Sequence, residues 1–186
     1  MDWICAFCGS NDTDSSPYTA ALTAFAEACV ERNIGLVYGG GRGGTMGALA
    51  DAVLAGGGEV VGVLPESIRD REAPHEGLTE LVVTETKAQR KDRMVERSDG
   101  FVAFPGGIGT HEELFDTLGR AKHGFHDKPC GLLNVDGYYD RLVSHFDHAA
   151  REGFLSEAQR DLLLVESDAA TLLDTFERYE SPISGE

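Results

Sequence analysis

The sequence predicts one α/β domain with a Rossmann-like, doubly wound and mostly parallel sheet of about seven strands and helices on both faces. Short apolar runs alternate with longer amphipathic stretches along the whole chain. Several runs are apolar at consecutive positions, which is typical of strands covered on both faces. The length of 186 residues corresponds to a single domain, at roughly 150 residues per domain. We assign residues 1–180 to this nucleotide-binding domain and residues 181–186 to a flexible tail.

Seven apolar runs are the candidate strands, and they lie at Trp3–Phe7, Leu36–Tyr38, Val60–Leu64, Leu81–Thr84, Phe101–Phe104, Gly131–Asn134 and Leu162–Val165. The stretches between them repeat apolar residues at spacings of three and four, which indicates helices with one buried face. These helices are expected from Ser16-Pro17 through Val30, at Met46–Leu54, and at residues 86–98, 109–122, 138–152 and 168–178. Strands and helices in alternation predict right-handed crossover connections.

The composition is strongly acidic. Asp and Glu number 32 against 16 Lys and Arg, which gives a net charge of −16 and a pI near 4.6. Such a chain repels nucleic-acid backbones and anionic membranes, so neither is an expected partner. No apolar run approaches the ~20 residues of a membrane span. The few lysines among the basic residues resemble the surfaces of proteins from salt-loving archaea, although an ordinary acidic protein has the same composition.

The four cysteines are expected to be reduced. The first residues, Met1–Ile4, lack the basic region of a secretory signal, which favours a cytoplasmic location. Cys5 and Cys8 form a lone C-x-x-C in a predicted strand, where residues three apart point to opposite faces. This geometry favours packing over a redox or metal role. No histidine pair has strong metal spacing either, so we expect no metal site.

Glycine-bearing turns follow three predicted strands, and each opens onto a predicted helix. They are Cys8–Asn11, Gly39–Gly47 and Pro105–Glu113. In a doubly wound sheet, ligands bind at the carboxyl ends of the strands. Glycines let the backbone approach a ligand, and free N–H groups at a helix start attract anions. The turns therefore predict a phosphate site, although turns that only pack a helix on a strand have the same composition. A P-loop is disfavoured because no lysine follows either glycine-rich turn.

Two charged features stand out near these turns. Five basic residues lie within positions 87–97 of a chain that is otherwise acidic. Arg90 can enter the ligand site as a fork of donors, or the whole segment can be a solvated helix face with salt bridges. Glu113 lies three residues after Thr110, so it is either a site carboxylate or the partner of Thr110 in a capping box. Glu112 diverges from Glu113 by about 100° on a helix and is expected in solvent.

Together these segments resemble the LOG ("Lonely guy") family of cytokinin-activating phosphoribohydrolases, which have long been mislabelled as lysine decarboxylases. Pro105–Glu113 matches the motif P-G-G-x-G-T-x-x-E in full, and Arg90, Lys91 and Met94 match R-K-x-x-M. Shorter matches lie at residues 8–10, 39–47, 126–129 and 131–139, and the resemblance covers roughly residues 4–165. Decarboxylation with pyridoxal requires a Schiff-base lysine, and none of the four lysines follows a strand beside a phosphate cradle.

The resemblance implies hydrolysis of the N-glycosidic bond of AMP or N6-modified AMP to the free base and ribose 5-phosphate, without a cofactor. It implies that Glu113 and Arg90 are the catalytic pair and that the protein is a homodimer or a larger homo-oligomer with sites near the subunit contact. The expected substrate-binding residues are Gly9, Ser10, Gly40, Gly41, Gly44, Lys91, Met94, Gly106, Gly107, Gly109 and Thr110.

The chain departs from the plant-like pattern at two places. Lys87-Ala88 replaces a Met-His pair, and Arg120–Gly124 replaces a Trp-Ala-Gln-Leu-Gly run. Such positions in the family tend to shape the base pocket or the dimer contact, so plain AMP is at least as plausible a substrate as a prenylated nucleotide. The alternative function is a non-catalytic nucleotide- or cofactor-binding carrier on the same fold.

Overall fold

The computed structural model describes residues 1–11, 16–69 and 73–183. Its seven strands form one parallel sheet, as the sequence predicted, in the order β4-β3-β2-β1-β5-β6-β7. The strands are β1 (Trp3–Phe7), β2 (Gly35–Tyr38), β3 (Val60–Pro65), β4 (Glu80–Thr84), β5 (Gly100–Ala103), β6 (Cys130–Leu133) and β7 (Leu163–Glu166).

The helices are α1 (Ser16–Glu31), α2 (Gly44–Ala55), α3 (Lys87–Glu96), α4 (Ile108–Lys122), α5 (Asp140–Arg151), α6 (Glu157–Asp161) and α7 (Ala169–Glu177). Short 3-10 turns lie at Glu66–Ile68 and Val135–Gly137. The sequence pattern missed α6 because five residues are too few to show a helical period. A capping box between Ser156 and Gln159 starts it. Helix α1 begins at Ser16, as expected, and the Ser16 side chain lies outside the described part of the chain.

Strand β1 lies at the point where the strand order reverses. Ile4 of β1 pairs with Leu36 of β2 on one side and with Gly100 of β5 on the other. The chain builds outward from β1 to β4, then crosses back to β5 and builds outward in the other direction to β7. In such sheets a crevice opens beyond the carboxyl ends of the strands at the reversal. The turns after β1 and β5 therefore border the same crevice.

Two apolar cores cover the sheet, one on each face. Helices α1, α2 and α7 pack on one face and α3, α4 and α5 on the other. Cys8 belongs to the first core and Cys5 to the second, which confirms that the two thiols point to opposite faces. Burial raises the pKa of both thiols. These thiols are therefore neutral packing groups.

Several further expectations concern the surface and the ends of the chain. The described helices include none that is both long and apolar enough to cross a bilayer. Within the same residues, no cluster of three or more His, Cys, Asp or Glu side chains is placed to hold a metal ion. Of the predicted tail, Ile183 packs partly buried against the core that contains Cys5, and residues 184–186 lie outside the described part.

Candidate functional site

A cavity of about 440 Å³ opens at the carboxyl edge of the sheet. The turns after β1 and β5 and the first residues of α2, α3 and α4 form most of its wall. Among the expected site residues, those that line it are Gly9, Ser10, Arg90, Lys91, Gly106, Gly107, Gly109, Thr110 and Glu113. Residues outside the expected catalytic and substrate-binding set also line it, among them Tyr18, Thr45, Met46, Ile68, Lys87 and Tyr138. One cavity thus brings together the two charged features and residues from all three glycine turns.

The start of α4 offers backbone donors to this cavity. Gly107 is the N-cap and no side chain caps it, while the N–H of His111 bonds the Gly107 carbonyl at 3.1 Å. The N–H groups before His111 have no acceptor within the helix, and the helix start carries partial positive charge. Thr110 is 2% exposed, and within the described structure its hydroxyl has no hydrogen-bond partner. An anion seated here would meet free donors of both kinds.

The turn after β1 is fixed by the start of α2. Thr45 Oγ1 accepts a hydrogen bond from the Gly9 N–H at 3.0 Å and donates one to the Gly9 carbonyl at 2.9 Å. Gly44 has a positive φ of +63°, and a Cβ there would lie 2.4 Å from the Ser10 carbonyl carbon. Gly44 therefore has to be a glycine because the Ser10 backbone passes over it. This contact holds Gly9 and Ser10 at the cavity.

The other glycines of the second turn support the site from outside. Gly40, with a φ of +81°, packs against Leu64 and Leu81, and the Gly41 carbonyl accepts the Tyr38 hydroxyl at 3.1 Å. Neither residue lines the cavity, and the same holds for Gly44 and Met94. Met94 is 2% exposed in the core on the α3 and α4 face. The structure therefore does not bring these four expected substrate-binding residues to the cavity wall.

Arg90 and Glu113 meet at the cavity. Arg90 Nη1 and Glu113 Oε1 are 2.5 Å apart, and the two side chains are 12% and 8% exposed. Arg90 Nε also donates to the Val63 carbonyl at 3.0 Å, which fixes the guanidinium from a second side. Gly39 leaves room for this group, since a Cβ there would lie 2.5 Å from Arg90 Nη2. A buried, well-oriented carboxylate is thus held beside the start of α4.

The capping-box interpretation of Glu113 is wrong. Helix α4 begins at Ile108 with Gly107 as its cap, so Thr110 lies inside the helix and does not cap it. Glu113 is then in the second turn, where its side chain reaches across to Arg90 on α3. The sequence alone left the start of α4 open because two glycines and a threonine can each begin a helix.

The basic segment divides between the two alternatives. Arg93 pairs with Glu96, and Arg97 pairs with Glu80, all of them exposed side chains. These pairs fit the solvated face. Arg90 turns into the cavity, as the functional interpretation expected. Lys91 also lines it.

Lys91 and Glu112 meet at the rim of the cavity. Lys91 Nζ lies 2.8 Å from Glu112 Oε1 and 2.9 Å from Asp116 Oδ1. Glu112 is about half exposed, as expected, but it is paired.

Consecutive tyrosines clamp the turn after β5. The Tyr138 hydroxyl donates to the Gly106 carbonyl at 2.7 Å, and the Tyr139 hydroxyl donates to the Phe104 carbonyl at 2.5 Å. The Tyr138 ring also meets Tyr18 edge to face at 6.0 Å between centroids. From the sequence, these tyrosines belong only to the family match at residues 131–139 and to the start of the helix expected at residues 138–152. The position of Tyr138 after β6, at the carboxyl edge, was the signal that could have placed it in the site.

The departures from the plant-like pattern have different places in the structure. Lys87 lines the cavity, whereas Arg120, Lys122 and His123 do not. Arg120 instead lies between two carboxylates, with Nε 2.7 Å from Asp116 and Nη1 2.8 Å from Asp92. Residues 120–124 thus do not line the cavity of the single chain, and a place for this run at a dimer contact stays a prediction.

The chain is similar to characterised families and solved structures. A family profile described as "Possible lysine decarboxylase" matches residues 46–176. The cytokinin riboside 5′-monophosphate phosphoribohydrolase LOG2 of Arabidopsis thaliana is 44% identical over 95% of this chain and 83% of its own. The probable cytokinin riboside 5′-monophosphate phosphoribohydrolase LOGL5 of Oryza sativa subsp. japonica is 44% identical over 96% of this chain and 73% of its own. The molybdenum cofactor binding protein of Rippkaea orientalis shares the fold, with a TM-score of 0.69 over 95% of this chain and 96% of its own. The sequence identity between the two is 19%.

Proposed function

Because this chain belongs to the LOG family of phosphoribohydrolases, we propose that it hydrolyses the N-glycosidic bond of a nucleoside 5′-monophosphate, AMP or N6-modified AMP, to the free base and ribose 5-phosphate. The observation that carries this proposal is the buried Arg90–Glu113 pair, which shares one cavity with the uncapped start of α4. We expect the start of α4 to bind the phosphate and the Arg90–Glu113 pair to lie beside the sugar.

The 5′-phosphate is expected to lie against the residues from Gly106 to Thr110. Their backbone N–H groups and the unpartnered Thr110 hydroxyl are donors in need of an acceptor. Ser10 lies across the cavity wall and can add a hydroxyl contact. In a chain with a net charge of −16, such a local seat is what lets an anionic substrate bind. Arg90 and Lys87 in the wall add positive charge nearby.

Glu113 is then close to the sugar. In the reaction, the oxygen of water forms a bond to C1′ while the bond from C1′ to the base nitrogen breaks, and the electron pair leaves with the base, which takes up a proton. Positive charge grows on the ribose ring, and the Glu113 carboxylate stabilises that charge. The same carboxylate accepts a proton from the attacking water. Arg90 holds the carboxylate in place through the 2.5 Å ion pair.

A carrier of a nucleotide or cofactor is the second candidate. The likeness to molybdenum cofactor proteins, at under 20% identity, concerns the fold alone. A carrier needs the glycine turns but has no use for a buried Arg–Glu pair beside them. The Arg90–Glu113 pair therefore favours the enzyme.

The experiment that separates the two functions measures base release and nucleotide affinity together. The wild type and Glu113→Gln are incubated with AMP and with N6-isopentenyl-AMP, and the products are separated by chromatography. We expect the wild type to release base and ribose 5-phosphate, and Glu113→Gln to bind the nucleotide without turnover. Binding by both proteins with no base released from any nucleoside monophosphate would establish the carrier instead.

We also propose a homodimer or larger homo-oligomer. Helix α4 and the turn after it leave large apolar side chains in solvent, with Ile108 90%, Phe115 47% and Phe125 78% exposed. Ile108 and Phe115 are seven residues apart and so share one face of α4, and exposed apolar groups of this size indicate an interface. Ile108 also lines the cavity, which is consistent with a site near the subunit contact. Light scattering of the wild type and of Phe125→Asp measures this, and a monomeric wild type would refute it.

A further inference from the structure

Three layers of ion pairs link α3 to α4. The first is the Arg90–Glu113 pair in the cavity. In the second, Lys91, which adjoins Arg90, bonds Glu112, which adjoins Glu113, and also Asp116. In the third layer, Arg120 bonds Asp116 and Asp92. Arg90, Glu113, Lys91 and Glu112 of the first two layers line the cavity, whereas Asp92, Asp116 and Arg120 of the third layer do not.

Asp116 is the centre of this arrangement. Its Oδ1 faces Lys91 Nζ at 2.9 Å and its Oδ2 faces Arg120 Nε at 2.7 Å, so both oxygens are used. All three side chains are only 20–27% exposed. Burial alone would raise the pKa of Asp116, but the hydrogen bonds from Lys91 and Arg120 outweigh it and lower that pKa. The hydrogen bond to Glu112 raises the pKa of Lys91. The charges are thus kept on at neutral pH.

The layers constrain the catalytic pair because Arg90 and Glu113 are neighbours in sequence of Lys91 and Glu112. A helix is stiff over one turn, so a fixed Lys91 and Asp116 fix the spacing of the two backbones beside the cavity. Arg120 closes the arrangement by holding Asp92 of α3 against α4. Loss of this hold would let the two helices shift relative to each other.

We propose that Asp116 and Arg120 are positioning residues, which set the distance between Arg90 and Glu113 through the ion pairs that join α3 to α4. The proposal rests on the proposed function for its effect on turnover. A displacement of about 1 Å in a reacting group can cost on the order of 100-fold in rate. Asp116 and Arg120 themselves do not line the cavity, so substrate affinity should change little when either is replaced.

The test compares Arg120→Met, Arg120→Lys and Asp116→Asn with a matched control, Arg32→Met. Arg32 is also 26% exposed and also bonds two acids, Asp174 and Glu177, but it lies on the other face of the sheet. We expect kcat with AMP to fall roughly 10- to 100-fold in Arg120→Met and Asp116→Asn, with KM within about twofold. Arg120→Lys should regain part of kcat, and Arg32→Met should keep wild-type kcat.

A second readout needs no substrate. The Nε–H group of Arg90 donates a hydrogen bond to the Val63 carbonyl, so its proton should exchange slowly with water in the wild type. The exchange rate is measured by 15N NMR of the arginine side chains. We expect this protection to drop in Arg120→Met and Asp116→Asn and to persist in Arg32→Met. Protection and kcat that both match the wild type in folded Arg120→Met would overturn the proposal. Inactivity of the wild type toward every nucleotide would instead overturn the proposed function, and the NMR result would still decide the positioning role.

Discussion

Gly106 and Gly109 belong to the same motif, yet one added methyl group should lower the stability of the protein at Gly106 and raise it at Gly109. A Cβ at Gly106 would lie 2.2 Å from Thr110 Oγ1 and 2.8 Å from Thr110 Cβ. Contacts this short force the turn and the first turn of α4 apart. A Cβ at Gly109 would meet nothing within 4 Å. The comparison therefore isolates the contact between Gly106 and Thr110.

The size of the effect follows from these distances. Overpacking in a tight region costs about 1–3 kcal/mol. For a chain of this size each kcal/mol lowers Tm by about 2–4 °C, so Gly106→Ala should lower Tm by about 2–12 °C. Gly109 lies inside α4, where alanine is favoured over glycine by about 0.5–1 kcal/mol. Gly109→Ala should therefore be slightly more stable than the wild type.

The assays are calorimetry for Tm and base release from AMP for KM. Both variants should raise KM for AMP, Gly106→Ala because the turn moves and Gly109→Ala because its methyl group enters the cavity. Gly109→Ala should therefore have a higher Tm than the wild type but also a higher KM for AMP. Equal Tm values for Gly106→Ala and the wild type would refute the claim that Thr110 packs directly on Gly106.

Three further predictions concern single contacts. Glu113→Gln should lower kcat by about 10²–10⁴-fold while KM changes little, and wild-type kcat in this variant would remove the carboxylate from the mechanism. Tyr138→Phe removes the 2.7 Å bond to the Gly106 carbonyl and should raise KM for AMP by up to about tenfold, at about 0.5–1.5 kcal/mol; an unchanged KM would show that the clamp does not matter. Burial lowers the pKa of His126 below its ordinary 6.5, so the unfolded chain binds the proton more readily and stability should fall as the pH drops below about 6.5. The Tm of His126→Gln should lack this decline, and parallel Tm profiles for the two proteins would contradict it.

The protonation of His126 has a structural consequence that explains the last prediction. Its Nε2 lies 3.1 Å from the Thr117 carbonyl and its Nδ1 accepts the Lys128 N–H at 3.2 Å. With Nε2–H as the donor, the added proton must go to Nδ1. The bond from Lys128 is then lost.

The fold class could be predicted from the sequence because parallel strands covered on both faces are apolar at consecutive positions. Runs such as Val60–Leu64 are apolar at every position, and the structure places all of Val60–Pro65 in the core. The strand order could not be read in the same way, since period and propensity say nothing about which strands pair. Helix α6 escaped notice because its five residues show no period.

The sequence could predict site residues only where the residue types themselves indicate a ligand. The glycines before α4 predicted an anion site, and the basic residues around Arg90 predicted a cation beside it. Tyr138 and Thr45 act through backbone groups distant in sequence, the Gly106 carbonyl and the Gly9 peptide. Such long-range contacts leave no periodic pattern. Arg120 was interpreted by position alone, and only the fold shows that Asp92 and Asp116 surround it.

The most direct test is a crystal structure of the Glu113→Gln variant with AMP bound. The glycosidic bond should then be intact, and the phosphate should lie against the backbone N–H groups from Gly106 to Thr110. The side-chain amide of residue 113 should lie near C1′, with room for one water molecule between them. A phosphate bound elsewhere, or a ribose that keeps its C1′ far from residue 113, would contradict the account.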